Sequence, residues 1–135
     1  GEIYQALLNA ADDMGPFGHG YTYSGHPVAC AVGLKTLEIY ERDGIFARAA
    51  ALSPQFQARL ARFNNHPLVG EVRGVGLIGA VELVASKTTK APFEPAGKVG
   101  AECLKHCHDE GLICRAIGDV MGFCPPLIIT PAQID

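Results

Sequence analysis

The sequence predicts a mixed α/β fold in which helices come first and a small α+β domain follows, its sheet flanked by helices. Three observations lead to this class. Apolar residues recur at helical spacing up to residue 63, and from residue 69 valine, leucine and isoleucine alternate with glycine as they do in strands. Near residue 118 a Gly-Asp pair separates two short apolar runs, which is typical of a β-hairpin. The 135 residues, 48% of them hydrophobic, suffice for about one folded domain.

Two helices are expected in the first 43 residues. Apolar spacing predicts the first over residues 3–14, where a Gly-Pro pair ends it. An irregular loop rich in glycine, histidine and aromatic residues follows. The second helix begins near Pro27, with Ser24 or Gly25 as its cap, and continues to Asp43.

The middle of the chain changes from helix to strand. Residues 45–63 have helical spacing, but Ser53-Pro54 lies inside them, so the segment is either two helices or one kinked helix. Residues 69–84 form two short strands or one long bent strand. Residues 85–95 are polar with two prolines and are expected to form a surface loop.

The last third predicts a helix and a hairpin. Residues 97–110 form the helix, which Gly111 ends. Residues 112–114 and 120–123 are the expected strands on either side of a Gly-Asp turn, and residues 127–129 are one more short strand.

Composition excludes several function classes. The net charge is -3, with no long cluster of Lys or Arg, so binding of nucleic acid by a basic face has no support. No stretch reaches the ~20 apolar residues of a membrane span. The five cysteines are an odd number spread through apolar sequence, which favours reduced thiols and a cytoplasmic location.

Two motifs resemble cofactor or metal sites but lack the necessary context. Residues 74–79 match the dinucleotide fingerprint G-x-G-x-x-G, yet strand-like residues follow where that fingerprint must open a helix. Cys103 and Cys107 share a helix face next to two histidines, but no C-x-x-C pair exists and structural zinc needs four convergent ligands. We therefore expect glycines in a bent strand, half-buried helix cysteines and no metal.

Two positions are candidate ligand sites. In the loop of residues 17–27, backbone N–H groups and the hydroxyls of Thr22 and Ser24 are suited to an anion, although a purely structural loop also uses glycine freely. Arg115 lies at the end of a predicted strand near a turn. Its guanidinium either pairs with Asp119 or awaits a carboxylate ligand, and the sequence favours neither.

Four segments carry a resemblance that covers essentially the whole chain. Residues 17–31 (FGHGYTYSGHPVACA) resemble the loop-helix signature of class III aminotransferases, which are pyridoxal-phosphate (PLP) enzymes of fold type I. Residues 70–77 (GEVRGVGL), 111–119 (GLICRAIGD) and 124–130 (CPPLIIT) follow in family order. The chain looks most like the ω-amino acid:pyruvate branch of that family.

The resemblance implies a homodimer, a cofactor and three site residues. Thr22 would hydrogen-bond the PLP phosphate in the active site of the partner subunit, and the backbone around Tyr21 would approach the same phosphate. Arg115 would bind the substrate carboxylate and swing aside for an uncharged side chain. The activity implied is transfer of an amino group from an amino acid or amine to a keto acid, with pyruvate as the expected acceptor.

The same resemblance implies that the chain is the C-terminal portion of a longer enzyme. Residues 1–43 would end the large PLP-binding domain, with its phosphate loop and interdomain helix, and residues 44–135 would form the small domain, truncated before its last helix. The lysine that forms the Schiff base precedes this loop in the family, so no catalytic residue is expected here and the fragment alone should be inactive.

Three alternatives stay open at this stage. One is another class III member, such as an ornithine-type aminotransferase or an aminomutase. Another is a free-standing, non-catalytic α/β binding module derived from the small domain. The third is a metal-binding module that uses Cys103 and Cys107.

Overall fold

The computed structural model describes residues Gly1–Asp135, which form two units, Gly1–Glu38 and Ile39–Asp135. The first unit contains helix α1 (Glu2–Met14), the irregular loop and most of helix α2 (Pro27–Arg42). Both helices were predicted from the spacing of apolar residues, and the structure confirms them. Neither buries a single side chain within the chain, so their apolar residues are open to solvent.

The start of α2 differs from the expected cap. Neither Ser24 nor Gly25 caps the helix, because the Ser24 hydroxyl accepts the N–H of Tyr21 at 2.7 Å. His26 takes the position instead: its carbonyl accepts the Cys30 N–H at 2.9 Å, and its Nδ1 lies 3.4 Å from the amide nitrogen of Ala29. The imidazole thus does for α2 what a serine side chain does at other helix starts.

Helix α3 (Ile45–Ala61) is one helix, with Pro54 inside it, and a 3₁₀ turn (Arg62–Asn65) follows. A proline in a helix interior costs about 3 kcal/mol, chiefly through a lost backbone hydrogen bond. Burial of Ile45, Phe56 and Leu60 along one face offsets that cost. Packing against the sheet, which the sequence pattern does not contain, therefore decides between one helix and two.

A four-stranded antiparallel sheet forms the centre of the second unit. It consists of β1 (Val69–Val75), β2 (Ile78–Leu83), β3 (Arg115–Ile117) and β4 (Val120–Phe123) in the order β1-β2-β4-β3. Residues 69–84 are thus two strands rather than one. Gly76, with φ +60°, occupies the turn between them.

The core lies between α3 and the sheet. Phe56 and Leu60 pack with Val81 and with Met121, of which only 2% is exposed. Val69 and Leu77 complete the buried cluster. Helix α4 (Lys98–Asp109) adds half-buried side chains to the same core, so one apolar cluster joins both helices to the sheet.

The segment Gly74–Gly79 forms the turn of the β1–β2 hairpin and the strand ends beside it, so the expectation of glycines in one bent strand is wrong, whereas the expectation that no helix follows is confirmed. A Cβ at Gly74 would stand 2.5 Å from the carbonyl oxygen of Ile78, and Gln57 donates hydrogen bonds to the carbonyls of Gly76 and Ile78. The glycines permit close packing of a hairpin under α3, and no helix follows them to receive a pyrophosphate.

The strand predicted over residues 112–114 is wrong. The strand is Arg115–Ile117, so Arg115 begins it rather than ends it. The ladder between β3 and β4 ends at the pair of Arg115 and Gly122, and the Leu112 N–H bonds the Cys107 carbonyl of α4 at 2.7 Å instead of a strand. The Gly118-Asp119 turn between β3 and β4 is confirmed.

The strand predicted over residues 127–129 is also wrong. The Ile129 N–H bonds back to the Pro126 carbonyl, which makes a turn, and the Arg48 guanidinium donates to the carbonyls of Ile128 and Ile129 at 3.0 and 2.8 Å. Prolines on both sides of the segment leave no neighbouring strand for it to join. A distant arginine therefore satisfies these carbonyls instead of a sheet.

Two remaining helices agree with the sequence. Helix α4 matches the predicted residues 97–110, and α5 (Pro131–Ile134) begins with a capping box between Thr130 and Gln133. None of the helices has the length and apolar character needed to cross a membrane.

Candidate functional site

The loop before α2 presents a β-turn to solvent. The Ser24 N–H bonds the Tyr21 carbonyl at 2.9 Å, which puts Thr22 and Tyr23 at the two central positions of the turn. Gly25 has φ +73° and turns the chain toward α2. All these residues are exposed, so the loop is a surface feature of this unit.

Thr22 and Ser24 differ in what their hydroxyls already do. The Ser24 hydroxyl accepts the Tyr21 N–H, whereas the Thr22 hydroxyl has no hydrogen-bond partner. Both hydroxyls therefore keep an O–H to donate to a ligand oxygen, but the Ser24 oxygen is held by the loop whereas Thr22 has no partner within the chain. The backbone of Tyr21 is engaged at both its N–H and its carbonyl, and its ring meets that of His19 edge-on at 5.1 Å.

A phosphate fits this loop through neutral donors and the helix start. The exposed N-terminus of α2 carries the positive end of the helix dipole. No lysine or arginine belongs to the loop itself, and the first lysine on α2, Lys35, already pairs with Glu38 at 2.6 Å. A phosphate here would be held by the Thr22 hydroxyl and backbone N–H groups without a lysine.

Arg115 is an unpaired cation on an edge strand of the second unit. Its side chain is exposed and takes part in none of the ion pairs of the chain. The alternative of an Arg115–Asp119 pair is excluded, because the Asp119 carboxylate accepts the backbone N–H groups of Gly97 and Gly100 at 2.7 and 2.8 Å. The guanidinium is left with its planar fork of donors available for a carboxylate.

The half-buried thiols near the end of α4 are weak acids. Burial and the neighbouring Cys107 raise the pKa of Cys103, and the same two causes raise the pKa of Cys114 to about 11. All five cysteines are free, and no three His, Cys, Asp or Glu side chains are arranged to hold a metal ion. These thiols are protonated at neutral pH and pack as small apolar groups.

The contact between α4 and the β3–β4 turn was not predicted from the sequence. It rests on Gly97 and Gly100, which allow the turn to approach the helix start. Two glycines three residues apart at a helix start were the available signal.

The two main candidate residues belong to different units of the chain. Thr22 lies in the first unit and Arg115 in the second.

A hydroxyl-bearing loop at a helix start, followed by an antiparallel α+β unit with a free arginine on its edge strand, agrees with the C-terminal region of a fold type I transferase, the class to which the similar solved structures belong. The family model for class-III aminotransferases matches residues 2–135, and the chain belongs to this family. Enzymes of the family depend on PLP.

Relatives agree with this assignment. The chain is 49% identical to the putrescine–pyruvate aminotransferase of Pseudomonas aeruginosa, over 98% of this chain and 29% of that protein. It is 42% identical to the diaminobutyrate–2-oxoglutarate transaminase of Halomonas elongata, over 98% of this chain and 29% of that protein.

Solved structures agree as well. The ω-transaminase of Pseudomonas jessenii in complex with PMP superposes with a TM-score of 0.83 at 40% identity, over 99% of this chain and 30% of that one. The chain therefore spans less than a third of the length of these relatives.

Proposed function

We propose that this chain is the C-terminal part of a PLP-dependent aminotransferase that transfers an amino group from an amino acid or amine to a keto acid, with pyruvate as acceptor. Residues 1–43 complete its large domain and residues 44–135 form its small domain. Family membership supports the reaction class, and the two units of the chain support the division.

The free guanidinium of Arg115 is the observation on which the substrate assignment depends. An exposed arginine without an acidic partner is suited to bidentate binding of a carboxylate. Since Asp119 is occupied by helix α4, it does not compete for that arginine. Arg115 therefore binds substrates through their carboxylate and leaves the amino group to the reacting centre.

The Thr22 hydroxyl binds the cofactor phosphate, and the backbone around Tyr21 approaches the same phosphate without donating the Tyr21 N–H, which the Ser24 hydroxyl accepts. The unpartnered Thr22 hydroxyl at an exposed turn supports this role. In the homodimer we propose, the turn reaches the active site of the partner subunit. The apolar side chains that α1 and α2 leave in solvent, among them Ile3 and Val28, support burial of this unit against the rest of the enzyme or its partner.

The cofactor supplies the electron-accepting ring that makes amino transfer feasible. This chain binds and orients the two ends of the reaction, phosphate and carboxylate, while the covalent lysine belongs to the preceding part of the parent enzyme. The chain by itself is inactive. A cytoplasmic location agrees with its five free cysteines.

Arg115→Ala in the full-length enzyme tests the assignment. Activity with carboxylate-bearing amino donors should fall on the order of 10–100-fold, because a charge-assisted hydrogen bond is lost. Activity with simple amines should fall far less. The measurement is kcat/KM for β-alanine against an uncharged amine of similar size, and equal losses for both would overturn the role of Arg115.

Arg62→Ala is the matched control. It removes the same charge from the same unit, at a side chain that forms no ion pair. Its substrate preference should equal that of the unmodified enzyme.

The acceptor is tested separately. The relative from Pseudomonas aeruginosa is named for pyruvate and that from Halomonas elongata for 2-oxoglutarate. We expect faster turnover with pyruvate, in keeping with the higher identity to the former. Preference for 2-oxoglutarate would favour another class III member, such as an ornithine-type aminotransferase, and an amino group moved within one molecule would indicate an aminomutase.

The non-catalytic module is the alternative from another class. The intact mass of the protein from its native source, before and after borohydride reduction, distinguishes it from the enzyme. A mass several times 14.3 kDa with a reduced pyridoxyl adduct supports the aminotransferase. A mass near 14.3 kDa without adduct supports the module, and bound zinc would support the metal-binding alternative at Cys103 and Cys107.

A further inference from the structure

Asp119 joins three elements of the second unit. Its carboxylate accepts the N–H groups of Gly97 and Gly100, one oxygen for each, at the start of α4. Its backbone carbonyl accepts the N–H of Leu83, at the end of β2, at 2.9 Å. The turn between β3 and β4 is therefore tied to a helix by its side chain and to the neighbouring strand by its main chain.

The helix start is shaped to receive this turn. Gly97 has φ +82°, a conformation that side chains disfavour. At Gly100 a Cβ would stand 2.1 Å from the carbonyl oxygen of Gly118 and 2.9 Å from the Cα of Asp119. Both glycines thus allow the backbone of the β3–β4 turn to contact the backbone of α4. The Asp119 carboxylate also lies at the positive end of the helix dipole, which is electrostatically favourable.

Strand β3 is a short edge strand. It is three residues long, lies at the edge of the sheet and pairs only with β4. The segment before it, residues 112–114, belongs to no strand. Half-buried Ala116 packs one face of β3 against the core, whereas Arg115 is exposed. Short edge strands with one neighbour are the parts of a sheet that open most easily, so the docked turn adds a hydrogen-bonded attachment that the strand pairing alone does not provide.

We propose that Asp119 is a positioning residue for Arg115, which lies on β3, and thereby sets the preference of the enzyme for carboxylate-bearing substrates. The proposal rests on the proposed function of Arg115. Bidentate binding of a carboxylate needs a fixed donor direction, because small displacements of a positioning group greatly weaken its effect. An uncharged amine has no carboxylate for Arg115 to bind, so turnover of the amine does not depend on the hydrogen bonds of Asp119.

Asp119→Ala in the full-length enzyme is the test. The ratio of kcat/KM for β-alanine over an uncharged amine should fall about 10-fold, mainly through KM for β-alanine. Hydrogen exchange at the amides of Gly97 and Gly100 should quicken in the same variant, since both lose their acceptor. A residue that only stabilised the fold would lower both activities in proportion and leave the ratio unchanged.

Two variants act as controls. Asp119→Asn keeps one of the two acceptor oxygens and should restore only part of the ratio, between the values of Asp119→Ala and the unmodified enzyme. Asp109→Ala removes the same charge at the far end of α4, where the carboxylate has no ion pair, and should leave the ratio unchanged.

A double-mutant cycle with Arg115→Ala separates the two proposals. In the Arg115→Ala background, Asp119→Ala should not change the ratio further. If Arg115→Ala alters the ratio and Asp119→Ala does not, the positioning role is overturned and the proposed function stands. If Arg115→Ala itself leaves the ratio unchanged, the assignment of Arg115 fails and the role of Asp119 fails with it.

Discussion

Gly79 of β2 lies directly against Leu60 of α3. A Cβ at Gly79 would stand 2.1 Å from Leu60 Cδ1, closer than any two carbon atoms pack, and 3.5 Å from Phe56 Cε1. Leu60 is itself buried. Gly79, the last glycine of the segment that resembles the dinucleotide fingerprint, therefore leaves the space that the Leu60 side chain occupies. Its spacing from the other glycines reflects the packing of a hairpin beneath a helix.

Gly79→Ala should lower the free energy of unfolding by about 1–3 kcal/mol, because the added methyl group forces Leu60 out of its place in the core. Urea unfolding of the purified protein measures the change. In the background of Leu60→Ala, which by itself costs about 2–5 kcal/mol, the added methyl group finds space.

The double mutant is thus predicted to be more stable than the sum of the two single changes indicates. Simple additivity would mean that Gly79 is required for its backbone conformation and not for contact with Leu60.

Alkaline pH should destabilise the second unit through Cys114. Burial and the neighbouring Cys107 raise the pKa of the folded thiol to about 11, above its ordinary value of 9.0. The unfolded chain therefore releases this proton first as pH rises, so the stability present below pH 9.0 is lost progressively up to about pH 11. Urea midpoints at pH 7.5 and pH 10.5 should differ by less in Cys114→Ala than in the unmodified protein.

Cys124→Ala is the matched control for that experiment, because it removes an exposed thiol from the same unit. Its midpoints should shift with pH as those of the unmodified protein do. A Cys114→Ala variant whose midpoints follow the unmodified protein would contradict the assignment of the alkaline loss to Cys114.

Thr22→Val in the full-length enzyme should weaken the binding of PLP about 10-fold, since the valine keeps the shape of threonine and loses the hydroxyl that donates to a charged phosphate. Thr22→Ser keeps the hydroxyl and should bind PLP nearly as well as the unmodified enzyme. Cofactor release during dilution, followed by absorbance, measures the affinity. If valine and serine behave alike, the hydroxyl of Thr22 does not hold the phosphate.

Local patterns predicted most of the helices and the hairpin of β3 and β4. Helical spacing predicted α1, α2 and α4 to within a few residues, and the Gly-Asp pair predicted the turn at residues 118–119. These signals are local because a helix or a tight turn is stabilised by residues that are close in sequence. Family resemblance likewise came from contiguous segments, and the match over residues 2–135 confirms it.

The misplaced strands depended on partners far along the chain. Residues 127–129 looked like a strand, but Arg48 satisfies two of their carbonyls from α3. Arg115 begins a strand because the ladder to β4 ends at its pair with Gly122, and the Leu112 N–H bonds Cys107 of α4 instead. Each outcome is set by hydrogen bonds between residues tens of positions apart or across a hairpin, which periodicity does not describe.

Sequence alone thus determined the mixed fold, the family and the two candidate residues Thr22 and Arg115, because short-range pattern and residue chemistry suffice for these. Tertiary structure decided that Pro54 stays inside one helix, that Arg48 satisfies the carbonyls of residues 128 and 129, and that Asp119 is docked on α4 instead of on Arg115. The physical reason is competition for partners. A carboxylate or hydroxyl can satisfy several neighbours equally well, and only the packed chain determines which neighbour reaches it.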